Sequence, residues 1–222
     1  MVRMALTLAI FALATVRARE CIHADVVNIA TDEWRLDDCT SLQIAMKTIG
    51  EDGAKALAVA LKDNKVLRSL RLRHAGIGNG AKDLAAVLAT TQLKELEIWR
   101  SGVDASGCAA LASAVEGSTL QVLDLRYNKV GDEGATALAN TLRSSTQQLT
   151  ALRLQNAGVG PAGAVALAEA LRGPNIKLEV LDLGNNPLGA EGGKALEAAL
   201  EVNTYIGTLN IQGCKLDSLL EF

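Results

Sequence analysis

The sequence predicts an α/β solenoid, a stack of strand–helix units in which each unit covers its neighbour. Three observations point there. One apolar spacing recurs seven times from Cys39 onward. Within each recurrence a stretch of period two precedes a stretch of period 3.6. The composition is 36 Ala and 35 Leu among 222 residues against six aromatics, which fills thin, closely stacked layers rather than a bulky interior. Apolar residues make up 49% of the chain, enough surface to bury that disorder is excluded for most of it. The formal net charge of −3 argues against a general nucleic-acid binder, which needs a basic stripe.

Residues 1–38 precede the repeats. Arg3, Arg17 and Arg19 flank the uncharged run Met4–Val16, and no acid occurs before Glu20. Thirteen residues at ~1.5 Å each make a helix about 20 Å long, short of the ~30 Å of a bilayer core, so no integral membrane span is expected. Two readings stand: a capping helix over the open end of the array, or a signal or targeting peptide with Val16-Arg17-Ala18 as its cleavage site. No N-x-[ST] sequon supports a secretory route. An intracellular location is therefore expected, with a secretory or organellar one if residues 1–18 are removed. Residues 20–38 read as a connector.

The array occupies 39–222. The first anchor of each unit falls at Cys39, Leu67, Leu93, Leu120, Leu149, Leu178 and Ile206, at spacings of 28, 26, 27, 29, 29 and 28 residues. Three apolar residues follow each anchor at offsets +3, +5 and +10, as in Leu120, Leu123, Leu125 and Val130. The +3 and +5 side chains share one face of a short strand. Offset +8 holds Asn128, Asn186 and Cys214, and an Asn there can bond the backbone of a tight loop. A turn-to-helix signal comes next, such as Val130-Gly-Asp-Glu-Gly-Ala135. Its first glycine lets the chain turn, its second is expected to press the helix on the strand layer, and its acids suit the helix dipole. The phrase Ala135-Thr-Ala-Leu-Ala-Asn-Thr-Leu142 then puts apolar residues on one helical face. A βα unit of this size cannot cover both layers alone, so neighbours must stack.

These motifs resemble leucine-rich repeats of the ribonuclease-inhibitor-like type, over residues 39–218; Leu123–Ala135 is close to a consensus unit. The resemblance implies a horseshoe arc of about seven repeats, with a parallel β-sheet on the concave side and α-helices on the convex side. It also implies a non-catalytic protein–protein interaction module, or scaffold, that binds mainly through its concave face. Ran GTPase-activating proteins and the sensor domains of innate immune receptors share the repeat. A GTPase-activating role on a small GTPase, or a sensor-type repeat domain, is therefore the alternative. Two departures stand out. The second unit is one residue short between Ile77 and Leu84, a deletion that Gly76–Gly80 can absorb. The last repeat is incomplete, and Leu219, Leu220 and Phe222 either fold back over it or contact another chain, as they would in a larger complex.

If offsets +3 and +5 point inward, offsets +2, +4 and +6 face the concave surface. Together with the residue at the strand end, they supply the expected docking residues Arg71, Arg73, Glu95, Glu97, Trp99, Arg100, Asp124, Arg126, Tyr127, Arg153, Gln155 and Asp182. Trp, Tyr and Arg are the usual anchors of interfaces, and Trp99 is expected to be exposed. The competing reading is a solvated face in which Arg and Glu pair across strands.

No cofactor, metal site or enzyme motif is expected. Gly76–Gly80 lacks the Lys-Ser/Thr of a phosphate loop, and Glu51-Asp52 and Asp132-Glu133 recur at a helix start rather than forming a dyad. Cys39, Cys108 and Cys214 occupy repeat positions and read as buried, reduced thiols. Cys21 lies outside the array, and in an oxidising compartment it can bridge Cys39 and close the N-terminal end.

Overall fold

The computed structural model describes residues 19–22, 27–28, 33–174 and 176–216. The run Met4–Val16 and the tail residues Leu219, Leu220 and Phe222 lie outside them. Strand β1 (Glu20–Ile22) comes first, followed by the short antiparallel pair β2 (Val27–Asn28) and β3 (Glu33–Trp34). Strand and helix then alternate: β4 (Ser41–Ala45), α1 (Gly50–Lys62), β5 (Ser69–Arg73), α2 (Gly80–Leu88), β6 (Glu95–Trp99) and α3 (Ala105–Val115). The series continues with β7 (Val122–Asp124), α4 (Gly131–Leu142), β8 (Ala151–Arg153), α5 (Pro161–Leu171), β9 (Val180–Asp182), α6 (Gly189–Leu200) and β10 (Thr208–Asn210). Among the described residues the sheet has eight strands in the order β1, then β4 to β10, and every pairing in it is parallel.

The pairing has no slip. Leu42, Leu70, Leu96, Leu123, Leu152, Leu181 and Leu209 occupy one row across seven strands. All but Leu209, in the last unit, are buried. A fully buried Leu contributes roughly 1.5–3 kcal/mol, so this row is a main source of cohesion between units.

The predicted connector is in part sheet. Glu20–Ile22 pairs with Ser41–Gln43 as the edge strand, and Cys21 and Cys39 are joined by a disulfide, with Cα atoms 5.8 Å apart. Cys39 is thus not a reduced thiol. Cys214 is half-buried rather than buried, and its Sγ donates to the Leu183 carbonyl at 3.1 Å.

The second glycine of the turn signal has a different task from the one expected. A Cβ on Gly192 would lie 2.6 Å from the Cβ of Ala164, and one on Gly80 would lie 2.5 Å from the Cβ of Ala54. These glycines therefore let each helix approach the helix of the preceding unit, not the strand layer. The acids beside them also reach across units. Asp132 Oδ1 accepts from Gly160 N (2.7 Å) and Gly163 N (2.8 Å) at the start of α5, and Glu51 accepts from Asn79 N ahead of α2.

Each strand from β4 to β10 is followed by one left-handed residue. Met46, His74, Arg100, Tyr127, Asn156 and Asn185 have φ between +46° and +59°, and Gly213 has +71°. Such a conformation costs a non-glycine roughly 1–2 kcal/mol. It is held because the same N–H adds a last rung to the ladder: His74 N donates to Trp99 O, Arg100 N to Arg126 O and Tyr127 N to Gln155 O, at 2.9–3.0 Å. The chain then descends to offset +8. There Asn128 Oδ1 accepts from Ser101 N and Val103 N, both at 3.1 Å, while Nδ2 donates to Ile98 O and Leu125 O. Asn186 makes the same set in the sixth unit.

Candidate functional site

Alternation along the strands sends offsets +2, +4 and +6 to the concave side, and the structure shows what they do there. Arg71 bonds Glu95 at 2.9 Å, and Ser69 Oγ donates to the same oxygen at 2.8 Å. Arg73 grips Glu97 in bidentate fashion, with Nε at 2.5 Å and Nη2 at 3.0 Å, the geometry that strengthens a guanidinium–carboxylate pair. Arg126 folds back on Asp124 two residues earlier, with Nη2 at 2.7 Å. Asp182 accepts from Asn210 Nδ2 at 2.8 Å and from Gly184 N at 3.0 Å.

Three expectations are corrected here. Glu97 and Asp124 are not surface groups: they are 5% and 2% exposed, because each is pressed against the sheet beneath a guanidinium. Trp99 is half-buried rather than exposed. Its ring meets His74 edge-on at 4.7 Å and Tyr127 at 5.1 Å between centroids, close enough to hold it rigid. The left-handed residues make this row possible, since they place His74 and Tyr127 beside a +6 residue of the neighbouring unit.

Arg153, Gln155 and Tyr127 are half-buried, and Arg100 is exposed. Among the described residues no carboxylate lies within ion-pairing distance of Arg100 or Arg153. Burial works to raise the Glu95 carboxyl, but Ser69, Arg71 and the charge of Arg153 outweigh it and hold the group below the ordinary carboxylate value. The hydrogen bond to Glu97 raises Arg73, and the bond to Asp124 raises Arg126, so both stay cationic at any accessible pH.

Arg73, Glu97, Trp99 and Arg126 line a hollow of about 180 Å³ on the concave side. It is below the ~300–1,000 Å³ of small-molecule sites. It brings together four of the twelve predicted residues from three consecutive units. Asp182 lies two strands further along the sheet, outside it. The hollow itself was not legible in sequence, because it depends on which way each Arg folds. Nor was the row of hydrogen-bonding side chains ahead of β5 to β8 and β10, where Asn64, Thr91, Ser118, Gln147 and Asn203 accept from backbone N–H groups of the strand approach. The signal for these was a polar residue two or three places before every anchor.

Other chemistry-bearing groups are structural. Cys108 is buried in the helix seam and its thiol is pushed up to about 12 by burial and the charge of Asp104, which makes it unreactive. Among the described residues no three His, Cys, Asp or Glu side chains gather as a metal site would require, and no helix is long and apolar enough to cross a membrane.

No curated protein matches the chain in sequence. The Leucine Rich repeat family model matches residues 118–139, 147–168 and 175–196. Each match begins just ahead of β7, β8 or β9 and runs into the helix that follows, so it coincides with one structural unit. Proteins built of such repeats are commonly protein-interaction modules and typically non-catalytic. Three matched units set in an unbroken parallel sheet, in which strand and helix alternate from β4 to β10, give this chain the fold of a leucine-rich repeat solenoid.

Proposed function

We propose that the chain is a non-catalytic protein-binding module of the ribonuclease-inhibitor-like subtype, and that it engages its partner through the concave strip. The subtype reading rests on the 28- and 29-residue spacings, four of the six, and on the full helix in each of the first six units. The binding reading rests on one observation: a hollow walled by Arg73 and Arg126, with Trp99 set in it and braced by His74 and Tyr127. Interface anchors are aromatic and Arg side chains held rigid before contact, so little ordering entropy is lost on binding. Eight strands at ~4.8 Å make the strip about 34 Å across, which suits a standard interface of ~800 Å² per partner. Leu200, Val202 and Tyr205 are exposed beside the last described unit and offer a second contact within a larger complex.

Affinity purification from the native source tests this, run in parallel with wild type, Trp99→Ala/Arg126→Ala and a convex-face variant, Lys55→Ala/Lys82→Ala. The concave double variant is expected to lose the partner while still folded, with a cooperative melt at a lower temperature because Asp124 loses its guanidinium, each anchor being worth ~2 kcal/mol of binding. Equal recovery by wild type and the concave variant transfers the site to the helical side.

A further inference from the structure

Resting on that reading of the concave strip, we propose that it docks an extended acidic segment of a partner protein, one carboxylate of which seats between Arg73 and Arg126 against Trp99. The charge on this face is layered. The Glu97 and Asp124 side chains are 6% and 2% exposed, whereas those of Arg73 and Arg126 are 44% and 29% exposed. At these two pairs the carboxylate forms the floor and the guanidinium edge faces the partner, whereas Glu95, 29% exposed, stays level with Arg71. Arg73 commits Nε and Nη2 to Glu97, and Arg126 commits Nε and Nη2 to Asp124. A guanidinium carries five donors in a planar fork, so each keeps donors for an incoming acceptor. Arg100 and Arg153 add two cations without a carboxylate in pairing distance among the described residues. With Arg71, Arg73, Arg100, Arg126 and Arg153 against Glu95, Glu97, Asp124 and Asp182, the strip carries one excess positive charge on a chain whose net charge is −3, and the excess is at the partner-facing level.

Size and spacing narrow the ligand further. The hollow holds one side chain, not a cofactor. Both cations already have a carboxylate beneath them, so a monoanion fits better than a dianionic phosphate, which would repel Glu97 and Asp124. A segment crossing the strands in extended form places same-side residues about 6.6 Å apart, at ~3.3 Å per residue. A second acid two residues on therefore reaches toward Arg153, on the next strand after Arg126. The aromatic row His74–Trp99–Tyr127 packs the methylenes between. The expected ligand is [Asp/Glu]-x-[Asp/Glu] in an extended chain.

Selection of displayed random peptides on the wild-type chain, with counter-selection on Trp99→Ala, tests the assignment. Enrichment of paired acids two positions apart is expected. The consensus peptide, measured by fluorescence anisotropy, should weaken at least tenfold when its acids become Gln, and again with Arg153→Glu, an exchange of a side chain without an ion partner. Because Arg126→Gln alone would strand the buried Asp124, the paired variant Asp124→Asn/Arg126→Gln is also measured and should bind at least tenfold more weakly while still folded by circular dichroism. Enrichment of peptides without acids, no enrichment over Trp99→Ala, equal binding of the Gln peptide, or tighter binding of a phosphoserine version each overturns the proposal. If a native partner is lost with Trp99→Ala while acids are not preferred, the acidic assignment fails and the docking face stands; if no partner is lost, the face itself fails.

Discussion

Asn186 Nδ2 donates to the carbonyl of Leu154 at 2.7 Å, 32 residues earlier, while its Oδ1 accepts from Ala157 N and Val159 N at 3.0 Å each. One side chain thus closes the descending loop of the preceding unit, taking the Ala157 and Val159 N–H groups that no backbone carbonyl accepts. Asn186→Ala leaves those buried groups unpaired at ~1–3 kcal/mol apiece, so a loss of at least ~3 kcal/mol is expected by urea unfolding. Asn186→Asp keeps the acceptor and should fall between. A loss under ~1 kcal/mol would mean that water replaces the side chain.

The seam between helices predicts a reversal of ordinary propensity. Gly→Ala inside a helix normally stabilises by ~1 kcal/mol. At Gly192 the new methyl meets the Cβ of Ala164 at 2.6 Å, and overpacking of this kind costs ~1–3 kcal/mol. Gly192→Ala should therefore lower the melting temperature, and adding Ala164→Gly should recover most of the loss. Independent, additive effects of the two changes would show that this contact does not set the helix spacing.

The Cys21–Cys39 bridge ties the edge strand to the first unit. Unfolding without reductant should release two of the four thiols, those of Cys108 and Cys214. Closing a loop over a sequence separation of 18 stabilises by about 3 kcal/mol, so Cys21→Ser/Cys39→Ser should unfold at distinctly lower denaturant. Four titratable thiols in oxidised protein would remove the bridge.

Asp104 caps α3, accepting from Gly107 N at 2.8 Å, and this bond, with that of Ser106, holds its carboxyl below the usual value. The sign follows from the depressed folded value. The stabilisation is complete above the unfolded-state value of ~3.9 and is lost as pH falls through the lower folded one. Asn caps as well as Asp and does not titrate. Asp104→Asn should match wild type at pH 7 and lose less stability below about pH 4, whereas Asp104→Ala should lose ~1 kcal/mol at pH 7 and draw level with wild type as the pH falls through the folded value. Parallel acid-unfolding curves for wild type and Asp104→Asn would contradict this.

The fold was legible because its cause is local and repeated. Leu123, Leu152 and Leu181 align in the sheet as their equal offsets require, and the alternation that buries them sends Arg71, Arg126 and Arg153 to the other face. The site was legible only as a set of residues. Nothing in the spacing says that Arg126 turns back on Asp124, that Glu97 is covered by Arg73, or that Trp99 is flanked by His74 and Tyr127. Those outcomes depend on side-chain rotamers and on the neighbours that adjacent units bring up to them. The strand at Glu20–Ile22 was hidden for another reason: it stands outside the repeat and has no periodic partner in sequence.

The sequence by itself determined the period, the stacking of units and the face on which each side chain lies, because backbone alternation and helical pitch are properties of neighbouring residues. Only the tertiary structure decided which concave charges are neutralised from below, which glycines meet the preceding helix and how Asp132 and Asn186 serve units other than their own. Apart from the local Asp124–Arg126 pair, those contacts join residues some 24 to 32 positions apart, and their geometry is set by the small rotation from one unit to the next, which no single unit contains.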